Sequence, residues 1–222
     1  MPDPAIVSSS GLVGLVGGAR VEASDLAELS RLTTHLVGAD GGADHLLAAG
    51  LQPAAIIGDM DSISAAARAA FSDQLHAVAE QETTDFEKAL MRIDAACILA
   101  IGFTGGRMDH ALSVLNVLAR YRHRAVVLLD ENDASFILPD NPATLNLPPA
   151  TRLSLMPLAE LRATATGLRW PLHDRVLHPA GTVSSSNAVA EGAVKVHADG
   201  PLLITLPRAH LTQAVTAAAR AR

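Results

Sequence analysis

The chain has 222 residues, 49% of them apolar but only 3% aromatic, so any core is built mainly from Ala, Leu, Val and Ile. A formal charge of -6 argues against a non-specific binder of nucleic-acid backbones. The single cysteine, Cys97, excludes an internal disulfide and a cysteine-based zinc site, and no run approaches the roughly 18 apolar residues of a membrane span.

The N-terminal Met-Pro-Asp-Pro lacks the basic region of a secretory leader, so a cytoplasmic location is expected, with neither a nucleic-acid nor a membrane partner. Short apolar runs at 12–16, 36–39, 55–57, 97–101 and 125–129 read as strands. Helical spacing over 25–34, 64–71, 84–95 and 108–120 alternates with them. This rhythm predicts an α/β domain over residues 1–139 with a mostly parallel sheet. The Asn-Pro and Pro-Pro steps of 140–149 read as a linker. Beyond it, short strands at 152–156, 181–183, 193–197 and 202–206 predict a small all-β, sandwich-like domain over 140–222. The Ala-rich tail, 212–222, reads as a terminal helix or a frayed end.

Four polar segments follow strands or open helices. Asp40-Gly41-Gly42-Ala43-Asp44 offers two carboxylates and two glycines where backbone can approach a ligand. In Gly58-Asp59-Met60-Asp61-Ser62 the two aspartates stand two apart and face one site if the strand continues through them. Such paired carboxylates need a cation or a proton between them, and Mg²⁺ suits the role. Thr84-Asp85-Phe86-Glu87-Lys88 fits a capping box, with Asp85, Lys88 and Arg92 on one face and Phe86, Ala89, Leu90 and Ile93 buried. In Gly105-Gly106-Arg107-Met108-Asp109-His110 a glycine turn and the planar Arg107 fork suit phosphate oxygens. The helix that follows would turn Asp109, Ser113 and Asn116 outward and Leu112, Leu115 and Leu118 inward. Neither a P-loop nor a Gly-x-Gly-x-x-Gly fingerprint is present. The set points to a magnesium-dependent polyphosphate site that collects strand ends rather than a P-loop.

These four segments, in this order and with Thr166-Gly-Leu-Arg-Trp-Pro-Leu172 and Ser185-Ser186-Asn187, resemble the thiamine pyrophosphokinase family over nearly the whole chain. The resemblance implies an ATP-binding α/β domain, a β-sandwich that helps bind thiamine, and a homodimer with sites between subunits. It implies the reaction of ATP and thiamine to AMP and thiamine diphosphate. Asp59, Asp61, Asp85 and Asp109 would belong to the metal-binding region, with Asp40 a further member. Lys88 and Arg107 would contact phosphates, and Gly41, Gly42 and His110 complete the nucleotide set. Asp61 and Asp85 are candidates to assist deprotonation of the thiamine hydroxyl. Trp170 would stack on the acceptor, with Ser185, Ser186 and Asn187 supplying polar groups. The sequence departs from the family pattern after Asn187, where Ala188 stands in place of an acidic residue. His173 and His178 read as loop histidines. A pyrophosphokinase for another small alcohol, such as a pterin-like compound, and a non-catalytic thiamine or nucleotide sensor are the alternatives.

Overall fold

Val-, Leu- and Ile-rich runs bounded by glycine and polar clusters form the strands, as continuous apolar runs do when a parallel sheet is buried on both faces. The computed structural model describes residues 4–219. Its contacts divide into two compact units, Met1–Val117 and Leu118–Arg222. The division falls inside the helix Met108–Arg120, upstream of the Asn-Pro and Pro-Pro segment.

In the first unit, β1 (Val7–Val16), β2 (His35–Ala39), β3 (Ala55–Gly58), β4 (Leu75–Ala77) and β5 (Ile93–Ile101) lie in the order β5-β1-β2-β3-β4. Every neighbouring pair is parallel. Val16 pairs with both Gly38 and Ile101, and Ala39 pairs with Ile57. The ends of β1, β2, β3 and β5 are therefore level, and the segments that follow them emerge at one sheet edge, where open α/β sheets bind ligands. Helices α1 (Ala23–Leu32), α2 (Gly42–Ala48), α3 (Ala65–Ala70), α4 (Asp85–Met91) and α5 (Met108–Arg120) follow in chain order. Ser64 caps α3 by accepting the Ala67 N–H, and Thr84 caps α4 by accepting the Glu87 N–H at 3.3 Å.

Three local readings change. Helix α4 stops at Met91, because Ile93 and Asp94 enter β5 and pair with Val7 and Ser8. The helical spacing of 84–95 is overridden there by strand pairing. Helix α2, not among the expected helices, begins at Gly42 inside the Asp40–Asp44 segment. On α5 the buried side is Val114, Val117 and Leu118, while Leu112 is 59% exposed. Residues six apart, such as Leu112 and Leu118, cannot share a face of a helix with roughly 3.6 residues per turn.

In the second unit, β6 (Val126–Leu129), β7 (Asp133–Ile137), β9 (Arg152–Pro157), β12 (Ser184–Ala188) and β14 (Leu202–Pro207) run in the order β12-β9-β14-β7-β6, with antiparallel pairings. A second antiparallel sheet has the order β11-β10-β13-β8, formed by β8 (Ala143–Asn146), β10 (Leu161–Thr166), β11 (Leu172–Leu177) and β13 (Ala193–Ala198). Burial alternates along β8, β9, β10 and β13, so each sheet buries one face. A parallel α/β part followed by an antiparallel β part is the expected fold class.

Strand β8 lies within the expected linker, with Leu145 fully buried. Residues 181–183 are not a strand. The neighbouring strand β11 is an edge strand whose four central residues are exposed, so it carries no apolar alternation to read. The tail forms α6 (Leu211–Ala218), and its residues 220–222 lie outside the described residues. Among the described residues no helix is long and apolar enough to cross a membrane.

Candidate active site

The turns after β2 and β3 carry the carboxylates. Asp40, the residue after β2, has a left-handed φ of 43°, a conformation that Asp tolerates better than most residues. Met60, between Asp59 and Asp61, has φ 68°. A non-glycine residue there stores roughly 1–3 kcal/mol that its surroundings must hold. Arg68 of α3 supplies part of that hold by donating to the Met60 carbonyl at 2.5 Å. The Ser62 N–H donates to Asp40 Oδ2, and the Ser64 N–H to Asp44 Oδ2. These bonds tie the second turn to the first.

One carboxylate oxygen from each of Asp40, Asp59 and Asp61 lies within 4.8 Å of the others. Asp40 Oδ1 is buried and has no hydrogen-bond partner. Three hard carboxylate donors, one of them on a residue with an orphaned buried oxygen, fit a divalent cation of the magnesium type. At an effective dielectric of about 20, two such charges about 5 Å apart repel by about 3 kcal/mol, and by less where water reaches Asp61.

Asp85, at the first turn of α4, reaches the same place. A Cβ added to Gly58 would stand 2.8 Å from Asp40 Cβ and 3.1 Å from Asp85 Oδ1, so the glycine makes room for both side chains. Lys88 is 1% exposed and donates to Asp59 Oδ2 at 3.2 Å and Asp85 Oδ1 at 3.4 Å. Its ammonium is buried against these two carboxylates, an environment that the helical spacing alone does not show.

Desolvation, followed by repulsion from Asp85, raises the Asp40 pKa. Desolvation is also the largest effect on Asp85 and raises its pKa despite the nearby Lys88. At Asp59 desolvation pushes upward too, but hydrogen bonds from Gln81, the Asp61 N–H and Lys88 outweigh it and the pKa is lowered. At Lys88 desolvation pushes downward, and the Asp59 and Asp85 carboxylates outweigh it, keeping the ammonium charged.

Gln81 was missed by the sequence reading. Its amide donates to Asp59 Oδ2 at 3.2 Å from a loop that Glu80 organises by accepting the N–H groups of Glu82 and Thr83. No local pattern marks it, because its partner lies 22 residues away. Arg68 was missed as well; it holds the Met60 carbonyl eight residues back, in a turn whose shape no local pattern shows.

Arg107 and Asp109 form a two-point ion pair at 3.2 and 2.6 Å on the surface, and that pairing lowers the Asp109 pKa. Among the described residues Asp109 is not in the carboxylate group that could hold a metal. His110 is exposed, and its carbonyl accepts the Ser113 hydroxyl. Gly102, the residue after β5, packs against Gly17 by main chain. A Cβ on Gly102 would meet the Gly17 carbonyl oxygen at 2.6 Å, and one on Gly17 the Gly102 carbonyl oxygen at 2.4 Å. Phe103 meets Phe86 of α4 edge to face at 4.8 Å. A Cβ on Gly42 would stand 1.9 Å from the Val16 carbonyl oxygen, so this glycine is required by the neighbouring strand.

In the second unit, Trp170 is 55% exposed and the Arg169 guanidinium lies 4.9 Å from its ring centroid. Ser185 and Ser186 are exposed, while Asn187 is buried and hydrogen-bonded to the Trp170 backbone. His173 lies exposed on β11, and His178 Nδ1 accepts the Ala180 N–H.

A family model described as the thiamin pyrophosphokinase catalytic domain matches residues 26–129. A second, described as the thiamin pyrophosphokinase vitamin B1 binding domain, matches residues 144–203. Thiamine pyrophosphokinase 1 of Oryza sativa subsp. japonica is 31% identical over 177 residues, which cover 70% of this chain and 66% of that protein. Thiamine pyrophosphokinase 2 of the same organism is 30% identical over 182 residues, covering 72% and 67%. The chain therefore spans about two thirds of the length of these relatives. The solved thiamin pyrophosphokinase from Candida albicans superposes with a TM-score of 0.77 at 19% identity, over 88% of this chain and 89% of that one, a likeness of fold.

Proposed function

The chain belongs to the thiamin pyrophosphokinase family, and from that membership we propose that it transfers a pyrophosphoryl group from ATP to thiamine, giving AMP and thiamine diphosphate. The observation that carries the reading is the convergence of Asp40, Asp59 and Asp61 within 4.8 Å, with an unpartnered buried oxygen on Asp40.

The thiamine hydroxyl attacks the β-phosphorus, and the bond to the AMP oxygen breaks. Magnesium bound at the carboxylates would neutralise charge on the phosphoryl oxygens. Asp40, Asp59 and Asp61 would hold the cation, with Asp85 beside them. Lys88 bridges Asp59 and Asp85 and, with Arg107, is a candidate phosphate contact. Arg107 exchanges its bond to Asp109 for phosphate oxygens, with Gly41, Gly42 and His110 as further nucleotide contacts. Asp85 or Asp61 assists removal of the hydroxyl proton. Trp170 stacks on thiamine, and Ser185 and Ser186 offer exposed polar groups. A homodimer in the cytoplasm is part of the same proposal.

The test is incubation of the purified protein with ATP, Mg²⁺ and thiamine. AMP and thiamine diphosphate in equal amounts are expected. ADP with thiamine monophosphate would show a simple kinase. Turnover only with another alcohol would move the acceptor, and ATP binding without AMP would indicate a sensor. Near-normal turnover in Asp85→Asn would remove Asp85 as the base.

A further inference from the structure

The side chain of Asn187 has no hydrogen-bonding capacity left for a ligand. It sits on β12 just after a bulge: Ser184 pairs with Leu155 and Asn187 with Leu153, so Ser185 and Ser186 together stand opposite Ser154. Ser186 takes a left-handed φ of 53°, and its N–H donates to the Ser154 hydroxyl. After this kink the chain buries Asn187 to 2% exposure, while the two serines before it stay exposed. Asn187 Oδ1 accepts the N–H of Trp170 at 3.2 Å and of Ala188 at 2.8 Å. Its Nδ2 donates to the Trp170 carbonyl at 2.8 Å and to Ser184 Oγ at 3.0 Å. An amide side chain offers two donors and an oxygen with two lone pairs, and all four are used.

The surrounding main chain supports the same grip. The Arg169 N–H donates to the Ala188 carbonyl, the Ala190 N–H to the Gly167 carbonyl, and Leu168 bridges Val189. The Trp170 backbone is thus held at both its N–H and its C=O, while the residue keeps 55% of its surface exposed.

We propose that Asn187 is a positioning residue that acts on the acceptor only through Trp170, by fixing the main chain from which the exposed indole projects. It does not itself contact the acceptor. This rests on the reading of Trp170 as the thiamine-stacking residue. Fixing that main chain before binding removes part of an ordering cost that the acceptor would otherwise meet.

Trp170 is the only tryptophan, so its emission reports on this position alone. Asn187→Asp keeps the size and the acceptor oxygen but turns both donors into lone pairs. In the substrate-free variant, shifted emission and stronger acrylamide quenching are expected. Thiamine KM should rise about tenfold, the order set by losing buried hydrogen bonds, with ATP KM near that of the wild type. On a Trp170→Ala background the same substitution should leave thiamine KM unchanged. Wild-type emission and quenching, or a full KM effect persisting on that background, would overturn the proposal. Ser184→Ala removes one of the four bonds and should shift emission less, in the same direction; it decides the matter if Asn187→Asp does not fold. If Trp170→Ala alone leaves thiamine KM unchanged, the thiamine reading of Trp170 falls. The emission measurement then still decides the grip: a shift supports it and wild-type emission overturns it.

Discussion

The Lys88 ammonium lies 3.2 Å from the Asp59 carboxylate and is the more deeply buried of the two. A cation fixed within the fold thus offsets part of the negative charge gathered at the strand ends. Lys88→Met should destabilise the metal-free protein by about 2–3 kcal/mol in urea unfolding, below the cost for a fully enclosed pair because water reaches Asp85. Added Mg²⁺ should recover more stability in this variant than in the wild type. A variant as stable as the wild type without metal would refute the offsetting role.

Asp40 shows the opposite balance. Burial raises its pKa, so the folded state binds its proton more tightly than the unfolded chain does. Stability is then lost as pH rises from the unfolded value toward the raised folded one. Asparagine removes the charge and tolerates the left-handed backbone. In metal-free buffer Asp40→Asn should melt a few degrees above the wild type at pH 7, with the gap closing near about pH 4. Its stabilisation by Mg²⁺ should be largely lost, and a pH-independent gap in Tm would contradict the assignment.

Arg68 holds the carbonyl of Met60, whose left-handed backbone separates Asp59 from Asp61. Arg68→Ala should raise the Mg²⁺ concentration for half-maximal activity by about three- to tenfold, as expected for loss of a charge-assisted hydrogen bond. Thiamine KM should stay near its wild-type value. A Mg²⁺ dependence unchanged in the variant would show that the turn holds itself.

Trp170→Ala should raise thiamine KM at least about tenfold, the scale of a lost aromatic stack with its buried area. ATP KM should change much less. Equal effects on both substrates, or none, would remove the stacking model.

The strand-end carboxylates were legible because each motif is local: an apolar run, then Asp40 or Asp59-Met-Asp61. Asp85 and Lys88 were legible as residues, but not in their environment. Helical spacing reports a shared face, not whether that face meets water or two aspartates. Gln81 was invisible because it meets Asp59 from 22 residues away, and Arg68 because no local pattern shows which carbonyl it holds. Asn187 was visible as the last of a polar run, and only the bulge in β12 shows that it points inward while the two serines stay exposed. The edge strand β11 escaped notice because the polar residues of an exposed strand leave no period-two signal.

At the contact between the segments after β1 and β5, main chain rests on main chain, with Gly17 and Gly102 each closing against the other's carbonyl. The spacing of those two segments is therefore set by peptide geometry and not by the choice of side chains. Drift at neighbouring positions can alter what lines the crevice without changing its width. A single methyl at either glycine, by contrast, would force the strand ends apart.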